Sequence, residues 1–235
     1  MATIKIIGTA HSESFDAMYQ RNILSEQADV LFMARYGKMI DSHTLIISEG
    51  QLDSTVVKSS HPNYVKKLAK ISPLLASNGY TPDILLSDYR NSFNPSRFLQ
   101  YGNQLQRLQK LGKEYINQMR FHRPESMVEA LHMILNDQCD FSLNVDSSPE
   151  TIKLCQELLE IENKTDSFFI DRARQYQNDY KNIFIVVGSV HALSIAKDTR
   201  WELQVMENPL NFQAMMITTM CYILLREFPK ALVKK

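Results

Sequence analysis

Short β-branched runs alternate along this chain with longer stretches of three- and four-residue apolar spacing. Ile4-Lys5-Ile6-Ile7 leads into Gly8-Thr9-Ala10-His11, and Ile183-Phe184-Ile185-Val186-Val187 leads into Gly188-Ser189-Val190-His191. Both runs are stopped by glycine and predict strands of a sheet covered on both faces. Thr44-Leu45-Ile46-Ile47, before Ser48-Glu49-Gly50, and Asp83-Ile84-Leu85-Leu86, before Ser87-Asp88-Tyr89-Arg90, predict two more. Trp201, Leu203 and Val205 alternate with polar residues and mark a fifth, over Trp201 to Met206. Between the strands the period changes. Ala28, Leu31, Phe32 and Met39 predict a helix over Ser25 to Met39, and Leu105, Leu108, Leu111, Tyr115 and Met119 one over Phe98 to Met119. Met127 to Leu135 and Glu150 to Glu162 also read as helices, the second opened by Ser148 as N-cap and Pro149 in the first turn. Phe212, Met215, Met216, Thr219, Met220, Ile223 and Leu224 form a last amphipathic stripe, which reads as a core helix. Strands alternating with helices predict an α/β fold, a central mostly parallel or mixed sheet flanked by helices. No low-complexity linker divides the chain, so residues 1–235 read as one domain, with the helix-rich 91–162 as a helical cap inserted between the halves of the sheet.

Composition narrows the function classes. The 235 residues carry 26 Lys+Arg and 26 Asp+Glu, and this balance gives no general attraction to nucleic acid or to an anionic membrane. Hydrophobic residues at 44% and charged residues at 22% are enough for a sizeable core and argue against disorder. No basic segment followed by an apolar run opens the chain, so no retained signal peptide is expected. The longest apolar stretch, Met215 to Leu225, is half the ~20 residues that a spanning helix needs. Cys139, Cys155 and Cys221 are odd in number, form no CxxC and have no zinc-finger spacing. They predict buried, reduced thiols and a cytoplasmic protein, with a leaderless secreted effector as the alternative. Partners expected on these grounds are a small-molecule or peptide substrate, not nucleic acid or membrane, and a second copy of the chain if the Met-rich stripe is a dimer face.

The candidate chemistry lies at the strand ends. Glycine is scarce, at seven residues, yet two of them stand three positions before a histidine, at Gly8/His11 and Gly188/His191. Seven glycines and six histidines scattered over 235 positions would seldom give one such pair. Both pairs follow the clearest strands. Carboxyl ends of strands border the crevices of open α/β sheets, and Gly8 and Gly188 are expected as turn residues that put the following side chains over that edge. Neighbouring strands would let His11 and His191 converge, with Glu49 just past a third strand and Asp88 and Arg90 past a fourth. Two histidines and a carboxylate suit a divalent metal with an open position, which makes His11, Glu49 and His191 candidate ligands for zinc, manganese or cobalt. The same groups work without metal if a histidine takes a proton from water while the carboxylate orients it. Asp88 and Arg90 read as substrate contacts or as a loop salt bridge. His43, His61, His122 and His132 have no comparable setting.

IKIIGTAH and FIVVGSVH resemble the paired GxxH motifs of the TraB/TIKI/GumN-like family, which is grouped with erythromycin-esterase-like and ChaN-like proteins. The glutamate that members carry after the second strand is matched by Ile47-Ser48-Glu49-Gly50, and their acidic-Arg motif by Asp171-Arg172. The resemblance implies pseudo-symmetric halves whose GxxH motifs face one cleft. It also implies Arg172 on a helix before the last GxxH strand, pairing with Glu49 or stabilising an oxyanion, and Asp171 beside the substrate. Activity is divided among its branches: TIKI-like members are metal-dependent proteases, esterase-like members use His and Glu, and ChaN-like members bind haem. The expectation drawn is a hydrolase of ester or amide bonds acting through His11, Glu49, Arg172 and His191. The alternative is a non-catalytic haem- or ligand-binding protein; a third reading is an interaction protein with a degenerate site.

Overall fold

The computed structural model describes residues 1–9, 29–50, 55–118 and 148–205. His11, His122, His132, Cys139, Cys221, the expected helix 127–135 and the stripe 212–224 lie outside them. Every expected strand is present: β1 Thr3–Thr9, β2 Thr44–Ser48, β3 Asp83–Leu86, β4 Asn182–Gly188 and β5 Glu202–Val205. They form one sheet in the order β3-β2-β4-β1-β5, and all four pairings are parallel. The helices are α1 (residues 29–36, followed by a 3-10 turn Gly37–Met39), α2 Tyr64–Ile71, α3 Pro73–Ser77, α4 Pro95–Gln118, α5 Pro149–Tyr176 and α6 Ser189–Thr199. Among the described residues no helix is long and apolar enough to cross a membrane.

Two helix starts follow from their first residues. Ser72 Oγ accepts the Leu75 N–H at 3.1 Å before Pro73 opens α3, and Ser148 Oγ accepts the Thr151 N–H at 3.3 Å before Pro149 opens α5. Each pairs a hydroxyl N-cap with a proline whose missing N–H costs nothing in the first turn. α5 runs on to Tyr176, well past the expected end at Glu162, so Asp171 and Arg172 sit on it.

Residue packing divides the chain into two compact units. The first holds the described residues of 1–91 and 165–205, the second those of 92–118 and 148–164. In the first unit both sheet faces are covered. Ile7, Ile46, Ile84 and Phe184 point to one face and pack with Phe32, Tyr36, Val57, Tyr64 and Leu68. On the other, α6 packs against β1, β4 and β5. Phe184 is fully buried and meets Phe32 edge-on, with ring centroids 5.6 Å apart. In the second unit Tyr101 donates to Glu162 Oε1 at 2.8 Å, both side chains being buried. Burial there pushes the Cys155 thiol up to about 11, as expected of a structural cysteine.

A polar cluster closes the amino end of the sheet. Asp83 Oδ2 accepts from Lys58 Nζ at 2.7 Å and from the Tyr180 hydroxyl at 2.8 Å, while its Oδ1 accepts the Ser59 N–H at 3.1 Å. The hydrogen bonds from Lys58 to Asp83 and Tyr180 hold its ammonium well above the usual lysine range, and burial raises the Tyr180 phenol. Val57 bridges to Ile84 and protects the outer edge of β3.

Two outcomes follow. Phe184→Ala should destabilise the protein by about 3–5 kcal/mol, read as a lower urea midpoint. Both raised groups bind protons more tightly when folded. Their contribution is therefore complete below pH ~10 and is lost as pH rises above it. Asp83→Asn should flatten that alkaline loss in a series of melts from neutral pH upward; an unchanged slope would mean that the cluster is not its source.

Candidate active site

Sheet order determines which strand ends meet. β4 lies between β2 and β1, with Ser48 in register with Val186 and Thr9 with Gly188. β2 continues to β3 on one side and β4 to β5 on the other, so their connections leave in opposite directions. In an open parallel sheet that switch marks a crevice outside the carboxyl ends. Glu49 is the first residue after β2, and His191 stands in the first turn of α6, directly after β4.

The expected turn glycines act otherwise. Gly8 lies inside β1, and Gly188 ends β4 and caps α6 at φ −59° and ψ 149°, a conformation open to any residue. The chain reverses there because a helix begins. Close approach does explain Gly50: a Cβ would come within 3.2 Å of the Leu86 side chain.

His191 is 5% exposed. Its Nδ1 lies 2.7 Å from Oδ1 of Asp166, a residue of α5 that is only 2% exposed. The ring of Phe169, one turn further on, meets the imidazole at 6.3 Å. Nε2 faces Oε1 of Glu49 at 3.7 Å, and the same oxygen accepts the Gly188 N–H at 3.3 Å. Glu49 Oε2 lies 3.8 Å from Arg90 Nη2. Arg90 in turn grips Asp88: its Nε is 2.8 Å and 2.9 Å from the two carboxylate oxygens, and Nη2 also donates to Oδ2. Asp166, His191, Glu49, Arg90 and Asp88 thus form a chain of alternating acids and bases along the sheet edge.

Sequence reasoning placed Glu49 and His191 here and missed Asp166. It assigned to Arg172 the contact with Glu49 that Arg90 makes. Asp166, Phe169, Ile170 and Ala173 form the buried stripe of α5. Arg172, six residues from Asp166, is turned about 120° away from it round the helix. It donates to Gln175 Oε1 at 2.8 Å and lies over the Phe168 ring, while Asp171 is exposed. Asp88 and Arg90 are engaged with one another, the loop salt bridge of the two readings open to them. An open groove of about 550 Å³ lies in the second unit, lined by side chains such as Gln100, Asn103, Arg107 and Lys153.

Among the described residues no group of three or more His, Cys, Asp or Glu side chains is arranged to hold a metal ion. Asp166 and Glu49 address opposite edges of the imidazole, so they cannot meet on one ion with it. An ion on Nε2 would find Glu49 as its second ligand and the Arg90 guanidinium close behind. His11, the third expected ligand, lies outside the described residues.

The Asp166 contact predicts a protonated Nδ1 in the neutral ring. Asp166→Ala, which leaves a buried imidazole nitrogen without its acceptor, should cost about 1–3 kcal/mol. It should also remove a downfield, slowly exchanging imidazole N–H proton from the NMR spectrum; a signal that survives would place the proton elsewhere.

No family model matches this chain, and no match is found among curated proteins or solved structures.

Proposed function

We propose that this chain is a hydrolase of ester or amide bonds in which His191 is the general base. The observation that carries the reading is the 2.7 Å contact between Asp166 and Nδ1 of a buried imidazole at the carboxyl edge of a parallel sheet. With Nδ1–H donated to a carboxylate, a neutral imidazole has its basic lone pair on Nε2. Nε2 takes a proton from water while the water oxygen attacks the substrate carbonyl carbon. The imidazolium then returns that proton to the departing alkoxide or amine as the C–O or C–N bond breaks. Asp166 and Glu49 stabilise the transient positive charge between those steps.

The oxyanion needs donors, and Arg172 is not beside His191. The first turn of α6 supplies an alternative, because its N-cap Gly188 offers no side chain to its amide groups. Backbone N–H groups at a helix start are suited to a developing negative charge.

The test is a screen of p-nitrophenyl esters and amide-bonded dipeptides with wild type and His191→Gln. Expected is a turnover that falls by about 10²–10⁴ in the variant at unchanged circular dichroism. Hydrolysis at the wild-type rate by His191→Gln would overturn the assignment.

A further inference from the structure

The groove of the second unit is walled by two helices that run in opposite directions. Tyr101 of α4 donates to Glu162 of α5 at 2.8 Å, and one turn further along α4 Gln104 donates to Glu157, further back on α5. Continuing that match brings Arg107 to the level of Lys153 and Leu154, and all three line the groove. Leu154 is its buried member, at 4% exposed. The rest of the lining is polar. Gln100, Asn103 and Arg107 follow at spacings of three and four, so they form one exposed stripe of α4. The two amides both donate and accept hydrogen bonds. At about 550 Å³ the groove has the size of small-molecule sites, most of which are apolar; amides and charges select instead a ligand that is polar along its length.

Its charges are unevenly matched. Glu157 accepts from Gln104 and lies 3.8 Å from Lys153. Glu150 stands in the first turn of α5, where the helix dipole favours a carboxylate. Arg107 has no carboxylate partner among the described residues. Its planar fork fits two oxygens of a carboxylate or phosphate.

We propose that this groove binds a polar small molecule bearing a carboxylate or phosphate, with Arg107 taking two oxygens of that group and Gln100 and Asn103 hydrogen-bonding the remainder. Lys153, shared with Glu157, adds positive charge at the same end. Because the lining is exposed, water competes for every one of these contacts, and the affinity expected is weak, about 0.1–1 mM. None of these residues belongs to the His191 site, so the inference stands apart from the hydrolase reading.

The experiment is a ¹⁵N NMR titration of the full chain, following the side-chain amides of Gln100 and Asn103 and the Arg107 Nε–H. Three probes are used: N-acetyl-diglycine, its C-terminal amide and inorganic phosphate. Saturable shifts are expected with the carboxylate probe, with phosphate, or with both, and which of them saturates identifies the group that the groove takes. The uncharged amide should leave the signals unmoved. Arg107→Gln should weaken the binding about tenfold or more. Arg107→Lys keeps the charge but loses the fork, and should fall between that variant and wild type. The Arg107 side chain is exposed, so neither substitution is expected to disturb the fold. No saturable shift with either anion up to about 10 mM overturns the proposal. So does an affinity unchanged in Arg107→Gln, or equal binding of the acid and the amide.

Discussion

β4 is paired on both sides, to β2 and to β1, and its side chains are buried on both faces. A one-residue slip would turn Phe184 out of the aromatic cluster with Phe32 and Tyr36 and exchange the two faces of the strand. It would also move the start of α6, and His191 with it. The packing that makes the central strand stable therefore sets the height of the imidazole above the sheet edge. Glu49 is placed by the same pairing, because Ser48 is in register with Val186. Neither residue needs a flexible loop to find the other.

The two ends of this sheet treat buried charge differently. At the amino end both oxygens of Asp83 have donors, and the partner ammonium, on a side chain 64% exposed, remains in contact with water. That arrangement is structural. At the carboxyl end a buried imidazole stands between two carboxylates, one at 2.7 Å and one at 3.7 Å. Burying such groups is expensive even when they are paired, and a well-packed apolar set would often be as stable. Stability alone is therefore a poor account of the carboxyl end.

All five strands were legible because a sheet buried on both faces is written as continuous β-branched runs, whose ends the following Gly, Ser and Asp residues mark. Helices were legible where one face is wet, as in α4. α6 was not, since Ala192, Leu193, Ser194, Ile195 and Ala196 are all buried and leave no polar stripe to give it a period. α2 and α3, at eight and five residues, are too short for periodicity to stand out. The site was legible in its local part. Glycine–histidine spacing and a glutamate after a strand point to a place, and Glu49 and His191 are there. Asp166 was hidden because Lys164-Thr165-Asp166 resembles a polar break, whereas it is an acid on the buried stripe of a continuing helix. Arg90 was seen but not ranked above Arg172, since the choice depends on helix phase and sheet order.

His191 alone specifies little chemistry. Asp166, more than 20 residues earlier on another element, meets one ring nitrogen at 2.7 Å. Glu49, from a third segment, faces the other nitrogen, and it is itself shared among a backbone amide, a guanidinium and the imidazole. A short motif can be preserved while any of these distant partners is lost, and the imidazole would then stand in the same place among different neighbours. Motif resemblance thus indicates where to look on this sheet. What the site can do is decided by charges that reach it only through the pairing of β2, β3 and β4 and the phase of α5.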